Sequence, residues 1–246
     1  MAYPVVHFEV VGGDGLELQK FYAELFGWHI QNMPEMGNYG IVDTHAGGGI
    51  NGGVGGTPDG TALATFYVEV PDPQAILDKA MKLGGRVAMP VMEIPNIVTL
   101  AQFIDPQGNR IGLVKNEETV EAPGVSDGSN PAVDWFEVLG PDAKALQAFY
   151  ADLFDWKIQV APDSAIEYGH IEPQGGKGIG GGIGASPTGQ PMTTIYAKVD
   201  DLEKYLEKAE KLGGKTVVQP MDVGTVAVAQ FADPLGNVFG LYKDIS

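Results

Sequence analysis

The sequence predicts an α+β chain of four βαβββ modules. Three observations carry that prediction. Whole segments recur 128 residues apart, the apolar spacing switches between a period of two and a period near 3.6, and glycine or proline stands at most of the places where one pattern gives way to the other.

The recurrence comes first because it sets the organisation. FEV at Phe8–Val10 returns at Phe136–Val138, FYAELFGW at Phe21–Trp28 returns as FYADLFDW at Phe149–Trp156, and QFIDPQGN at Gln102–Asn109 returns as QFADPLGN at Gln230–Asn237. A length of 246 residues exceeds the usual single domain, and 44% hydrophobic residues suffice for more than one packed core. Between the copies runs NEETVEAPGVSDGSNP, acidic, rich in turn formers and without periodicity, which reads as a linker. The expected division is a first domain over residues 1–116, a linker over 117–130 and a second domain over 131–246.

Within the first half, Val5–Val10 alternates as a strand does. Leu18, Phe21, Tyr22 and Leu25 then fall at i, i+3, i+4 and i+7 of a helix that stops near Gly27. Short extended segments follow at Trp28–Gln31, Tyr39–Asp43 and the glycine-rich run Gly47–Gly56, closed by a turn at Pro58–Gly60. Thr65–Val70 is the next strand. Asp72 suits a helix N-cap with Pro73 at the first helical position, and Gly84 stops that helix before three more short strands. The second half repeats the scheme, with Leu146, Phe149, Tyr150 and Leu153 on one helix and Leu202, Tyr205, Leu206 and Ala209 on the other.

Charge and composition remove several function classes. A formal net charge of −17 and a pI near 4.4 repel phosphate backbones and anionic lipid headgroups, so neither nucleic acid nor a membrane is an expected partner. The absence of cysteine excludes disulfides, thiolate metal sites and a thiol nucleophile, and suits a reducing compartment. No basic flank with an apolar run follows Met1, so cytoplasmic residence is expected. The glycine runs Gly47–Gly56 and Gly175–Gly184 lead into a turn and another strand instead of a helix, which excludes a phosphate cradle.

The module order, FYAELFGW, the Gly-Gly that ends each second helix, and DPQGN before the last strand of the half together resemble the vicinal oxygen chelate superfamily. That is the group of glyoxalase I, bleomycin-resistance proteins and extradiol dioxygenases. The resemblance implies two tandem domains, each an eight-stranded open half-barrel sheet with helices outside. It also implies that metal-dependent members draw their ligands from the first strand of each module and from the strand after the DPxGN turn. The matching positions are His7, a place at or next to Thr65, and Gly112 in the first half, and Trp135, Thr194 and Gly240 in the second. Each half offers at most one matched ligand, fewer than the three protein donors of a typical open zinc site, so no metal and no cofactor is expected. Glycine at 112 and 240 is expected to leave open space in the cavity, because a strand glycine permits close approach of a ligand.

Several residues are candidates for ligand contact. His7 and Glu9 alternate on one strand and share a face, and Glu137 repeats Glu9, offering an acceptor or an acid–base group. Tyr67 and Tyr196 share faces with Thr65 and Thr194 and can stack on a flat molecule or donate a hydrogen bond. Gln102 and Gln230 repeat as polar groups before the turn. Trp135 stands opposite His7, and Arg110 stands opposite Val238, which makes the first site the more polar one. Of the remaining histidines, His29, His45 and His170, none is repeated. The functional expectation is a small organic ligand bound without metal, by a monomer or homodimer. The alternative is a lyase, isomerase or dioxygenase of the vicinal oxygen chelate type, using a divalent metal or Glu9 or Glu137 in acid–base chemistry.

Overall fold

Four βαβββ modules follow one another, as the periodicities require. The structure, a computed structural model, describes residues 3–116, 128–160, 167–173 and 176–245. Most of the expected linker, residues 117–127, lies outside the described residues.

The first module runs β1 (Val5–Gly12), α1 (Gly15–Phe26), β2 (His29–Met33), β3 (Tyr39–Asp43) and β4 (Asn51–Gly56). The second runs β5 (Leu63–Glu69), α2 (Pro73–Lys82), β6 (Arg86–Ile94), β7 (Val98–Ile104) and β8 (Arg110–Asn116). The third and fourth repeat these as β9 (Val133–Gly140), α3 (Ala143–Phe154), β10 (Ile158–Val160), β11 (Tyr168–Ile171) and β12 (Gly180–Ala185), then β13 (Met192–Lys198), α4 (Leu202–Lys211), β14 (Lys215–Asp222), β15 (Val226–Ala232) and β16 (Val238–Asp244).

The strands form two open eight-stranded mixed sheets, ordered β2-β3-β4-β1-β5-β8-β7-β6 and β10-β11-β12-β9-β13-β16-β15-β14. Within each module the first strand pairs in parallel with the last, as in β1 with β4 and β5 with β8, because the helix carries the chain back before the hairpins are laid down. The glycine run is strand only from Asn51. Trp28, expected to open β2, lies just before it and is buried, its indole N–H donating to the Pro131 carbonyl at 2.9 Å.

Local sequence explains the helix limits. Asp14 caps α1 by accepting from the Glu17 amide at 3.0 Å, and Gly27 ends it in the left-handed region at φ 77°, a conformation glycine adopts without strain. Asp72 caps α2 by accepting from the Ala75 amide at 3.1 Å, with Pro73 at the first helical position as expected. The predicted apolar face of α1 is the buried one, with Leu18, Tyr22 and Leu25 fully enclosed and Phe21 nearly so. Burial of each such side chain contributes about 1.5–3 kcal/mol.

The chain divides into two compact units, one built mainly on the second and third modules and the other on the first and fourth. In the first of these, Phe66 and Phe136 pack with ring centroids 4.5 Å apart, and Phe154 meets Trp156 at 4.8 Å. In the other, Phe26 lies 4.4 Å from Trp28 and 5.5 Å from Phe239.

The two repeated motifs meet inside these units. The Asp105 carboxylate organises its own DPQGN turn, one oxygen accepting from the amides of Gln107, Gly108 and Asn109 at 2.7–3.0 Å. Its other oxygen accepts from the Asn109 side chain at 2.8 Å and from the Tyr150 hydroxyl at 2.9 Å. The copy does likewise, Tyr22 donating to Asp233 at 3.1 Å. The tyrosine of FYADLF is thus tied to the aspartate of DPQGN, and that of FYAELF to the aspartate of DPLGN. Burial, then the neighbouring carboxylate, pushes both tyrosines well above their ordinary range, and burial also raises Asp233.

Candidate ligand-binding site

Each module lays one tyrosine ring over a glycine of a neighbouring strand. In the second module Tyr67 on β5 pairs in register with Gly112 on β8, and a Cβ added at Gly112 would sit inside the space of the Tyr67 ring, well under 3.0 Å from it. Tyr196 covers Gly240 in the same way. The space over these two glycines is therefore filled by the protein's own aromatic rings, which corrects the expectation that they leave it open. Period-two patterning identifies the face of a strand and not what lies across it.

The first and third modules use the glycine-rich strands for the same purpose. The Tyr39 ring spans Gly53 and Gly55, and the Tyr168 ring spans Gly182 and Gly184. On the opposite face, Phe8 lies against Gly52 and Phe136 against Gly181. These glycines allow rings to lie close on both faces of β4 and β12.

Every one of these tyrosine hydroxyls meets a polar group named from the sequence. Tyr39 donates to Glu9 at 3.1 Å and Tyr168 donates to Glu137 at 2.8 Å. Gln102 donates to the Tyr67 hydroxyl at 2.5 Å, and Gln230 donates to the Tyr196 hydroxyl at 2.7 Å. Both glutamines are buried, so these bonds hold the rings in place. The structure thus brings Tyr67 to Gln102 and Tyr196 to Gln230, while the two glutamates have tyrosine partners that sequence reading did not select. The repeated Tyr-Gly pairs at Tyr39–Gly40 and Tyr168–Gly169 were the available signal.

The remaining candidates are placed as follows. Thr65 is buried and its hydroxyl donates to the Arg110 carbonyl at 2.6 Å, so it serves the backbone. Thr194 is buried, and its hydroxyl has no hydrogen-bond partner among the described residues. The Trp135 indole N–H points to the Tyr168 hydroxyl at 3.4 Å, and the His170 ring packs 5.8 Å from Trp135 and 5.1 Å from Tyr168. His170, unrepeated in sequence, belongs to this aromatic cluster. Burial lowers His7 from 6.5 to about 4, which holds its imidazole neutral at physiological pH. Beside β13, Tyr242 donates to Asp134 at 2.9 Å, and burial raises the Asp134 carboxyl. That pair replaces Val114 and Val6 of the first half and was not anticipated.

Arg110 joins the Tyr67 cluster as a cation. Its Nε–H donates to the Gln102 side-chain oxygen at 2.6 Å, so Arg110, Gln102 and Tyr67 form a chain of hydrogen bonds across β8, β7 and β5.

At the positions that the family resemblance matches to metal ligands, His7 carries an imidazole and Thr194 a hydroxyl, and none carries a carboxylate. Thr65 spends its hydroxyl on a carbonyl, Trp135 offers only an N–H, and Gly112 and Gly240 offer no donor and are covered by rings. No three His, Asp or Glu side chains converge into a possible ion site among the described residues.

Comparison with known proteins agrees with this architecture. Residues 132–241 match the model of the Glyoxalase/Bleomycin resistance protein/Dioxygenase superfamily. CFP32 of Mycobacterium tuberculosis, which carries a provisional glyoxylase name, is 27% identical over 233 residues, covering 92% of this chain and 88% of that one. The anthracycline biosynthesis protein DnrV of Streptomyces peucetius is 30% identical over 125 residues, 44% of this chain and 46% of that one. Among solved structures, the Mn(II)-bound glyoxalase of Novosphingobium aromaticivorans superposes with a TM-score of 0.66 at 15% identity, covering 100% of this chain and 83% of that one. The second copy matches the glyoxalase/bleomycin resistance protein/dioxygenase superfamily model, the first copy repeats its motifs, and the two-sheet architecture is the fold that the Novosphingobium glyoxalase shares.

Proposed function

We propose that the chain binds a small organic molecule in half-barrel cavities without a divalent metal. The observation that carries this reading is that Gly112 and Gly240, at positions the resemblance matches to metal ligands, are each covered by a tyrosine whose hydroxyl is held by a buried glutamine. A ring and a fixed amide are a surface for stacking and hydrogen bonding, and they lack the anionic donors that a hard or borderline cation requires.

His7, Glu9, Tyr67 and Gln102 in the first half, and Trp135, Glu137, Thr194, Tyr196 and Gln230 in the second, are the residues we assign to ligand contact, while Thr65 serves the backbone. The relative DnrV is named for anthracycline biosynthesis, which makes flat, hydroxylated polycyclic compounds the class to try first. Aromatic side chains recognise such molecules through their faces, with a few placed polar groups setting orientation.

The test is a thermal-shift and fluorescence-quenching screen of hydroxylated polycyclic aromatics against the protein held in excess chelator. Saturable binding that chelator leaves unchanged is the expected result. Binding that appears only when manganese, zinc, nickel or iron is restored would instead support the metal-dependent lyase, isomerase or dioxygenase reading.

A further inference from the structure

We propose that Arg110 is a carboxylate-recognition residue, so that the first repeat takes an organic acid whereas the second does not. This deepens the small-molecule reading above and rests on it.

Three observations lead to the proposal. The first is the partner list of the arginine. In a chain with 32 acidic and 15 basic residues, the half-buried Arg110 guanidinium forms no ion pair with Asp or Glu among the described residues. Desolvating a cation without a counter-charge is unfavourable, and an anionic ligand supplies the missing charge.

The second is geometry. Gln102 accepts from Nε at 2.6 Å and itself donates to Tyr67, whose ring is seated on Gly112. The guanidinium is therefore oriented by a hydrogen-bond chain with little side-chain entropy left to lose. With Nε occupied, the two terminal nitrogens remain as an end-on fork, whose spacing matches the two oxygens of a carboxylate.

The third is the asymmetry of the repeat. Gln230 and Tyr196 reproduce the glutamine–tyrosine pair at 2.7 Å, yet the place of Arg110 is taken by Val238. A residue needed only to anchor Gln102 for the fold would be wanted in both copies, and the second pair forms without it.

The experiment is a ligand-observed NMR screen of a fragment library built from matched aromatic carboxylic acids and their primary carboxamides. It is run on the wild-type chain and on R110M and R110K. Wild type is expected to favour acids over matched amides by about ten-fold, the effect of one charge-assisted fork. R110M loses that preference while amide hits persist. R110K, which keeps the charge without the fork, shows a reduced preference. Acid hits that survive unchanged in R110M, or hits with no preference for acids in wild type, overturn the assignment of Arg110 and leave the binding reading standing. A screen without any hit overturns both. Amide hits retained by R110M show that the variant is folded.

Discussion

Replacing Gly112 with alanine tests the seating of Tyr67 through the sign of a stability change. On an open strand face the substitution should stabilise, since glycine in a strand is worse than alanine by about 0.5–1 kcal/mol. Here the new methyl group falls inside the Tyr67 ring. Forcing extra volume into a packed place costs about 1–3 kcal/mol. Displacing the ring also strains the Gln102–Tyr67 hydrogen bond, which contributes about 1 kcal/mol. The balance is a net loss of about 1–3 kcal/mol, opposite in sign to the open-face expectation. Urea unfolding of wild type, G112A, Y67A and the double variant gives the coupling directly. In the Y67A background the alanine at 112 meets no ring and becomes neutral or slightly stabilising, so the cycle yields a coupling of about 2 kcal/mol. A stabilising G112A in the wild-type background, or an equal cost with and without the ring, would refute the claim that the tyrosine fills this space.

Other expectations follow from the same structure. Y150F and Y22F each remove a buried hydrogen bond to a turn aspartate and should cost about 1.5–3 kcal/mol in urea unfolding, with little change in the far-ultraviolet spectrum; a change under 0.5 kcal/mol would show that the turn holds without the tyrosine. His7 binds its proton more weakly folded, at about 4, than unfolded, at 6.5, so the unfolded state takes up the proton first as pH falls through this window. That stabilisation is present above pH 6.5 and fades towards pH 4, amounting to at most about 3 kcal/mol, and H7F should flatten the pH dependence of the unfolding free energy across that range. Asp233 has the opposite sign: its raised folded pKa contributes stability below the ordinary carboxylate range that is lost as pH rises, so D233N should weaken that part of the profile at low pH.

Much of the fold was legible because its signals are local. The helix faces followed from Leu18, Phe21, Tyr22 and Leu25 and their copies, and the stops from Gly27 and Gly84, since each is a matter of spacing or backbone conformation within a few residues. The pairing of the FYADLF tyrosine with the DPQGN aspartate was hidden, because it joins positions 45 residues apart and nothing in either motif names its partner. The candidate site was legible in its residue types and not in its arrangement. Glu9, Tyr67, Gln102 and their repeats stood out as polar groups on alternating strands, but whether Gly112 opened a space or seated a ring depended on the strand beside it. Tyr39 and Tyr168 stand 129 residues apart, one out of register with the 128-residue repeat.

The central claim is that binding here proceeds without a chelated metal, and metal content tests it most directly. The measurement is inductively coupled plasma mass spectrometry of the full chain purified without chelator, followed by calorimetric titration with zinc, nickel, manganese and iron(II) at neutral pH. The account predicts substoichiometric metal as purified and no saturable heat for any of the four, because Gly112 and Gly240 supply no donor and their space is taken by Tyr67 and Tyr196. About one tightly held ion per half, released only by unfolding or strong chelation, would contradict it.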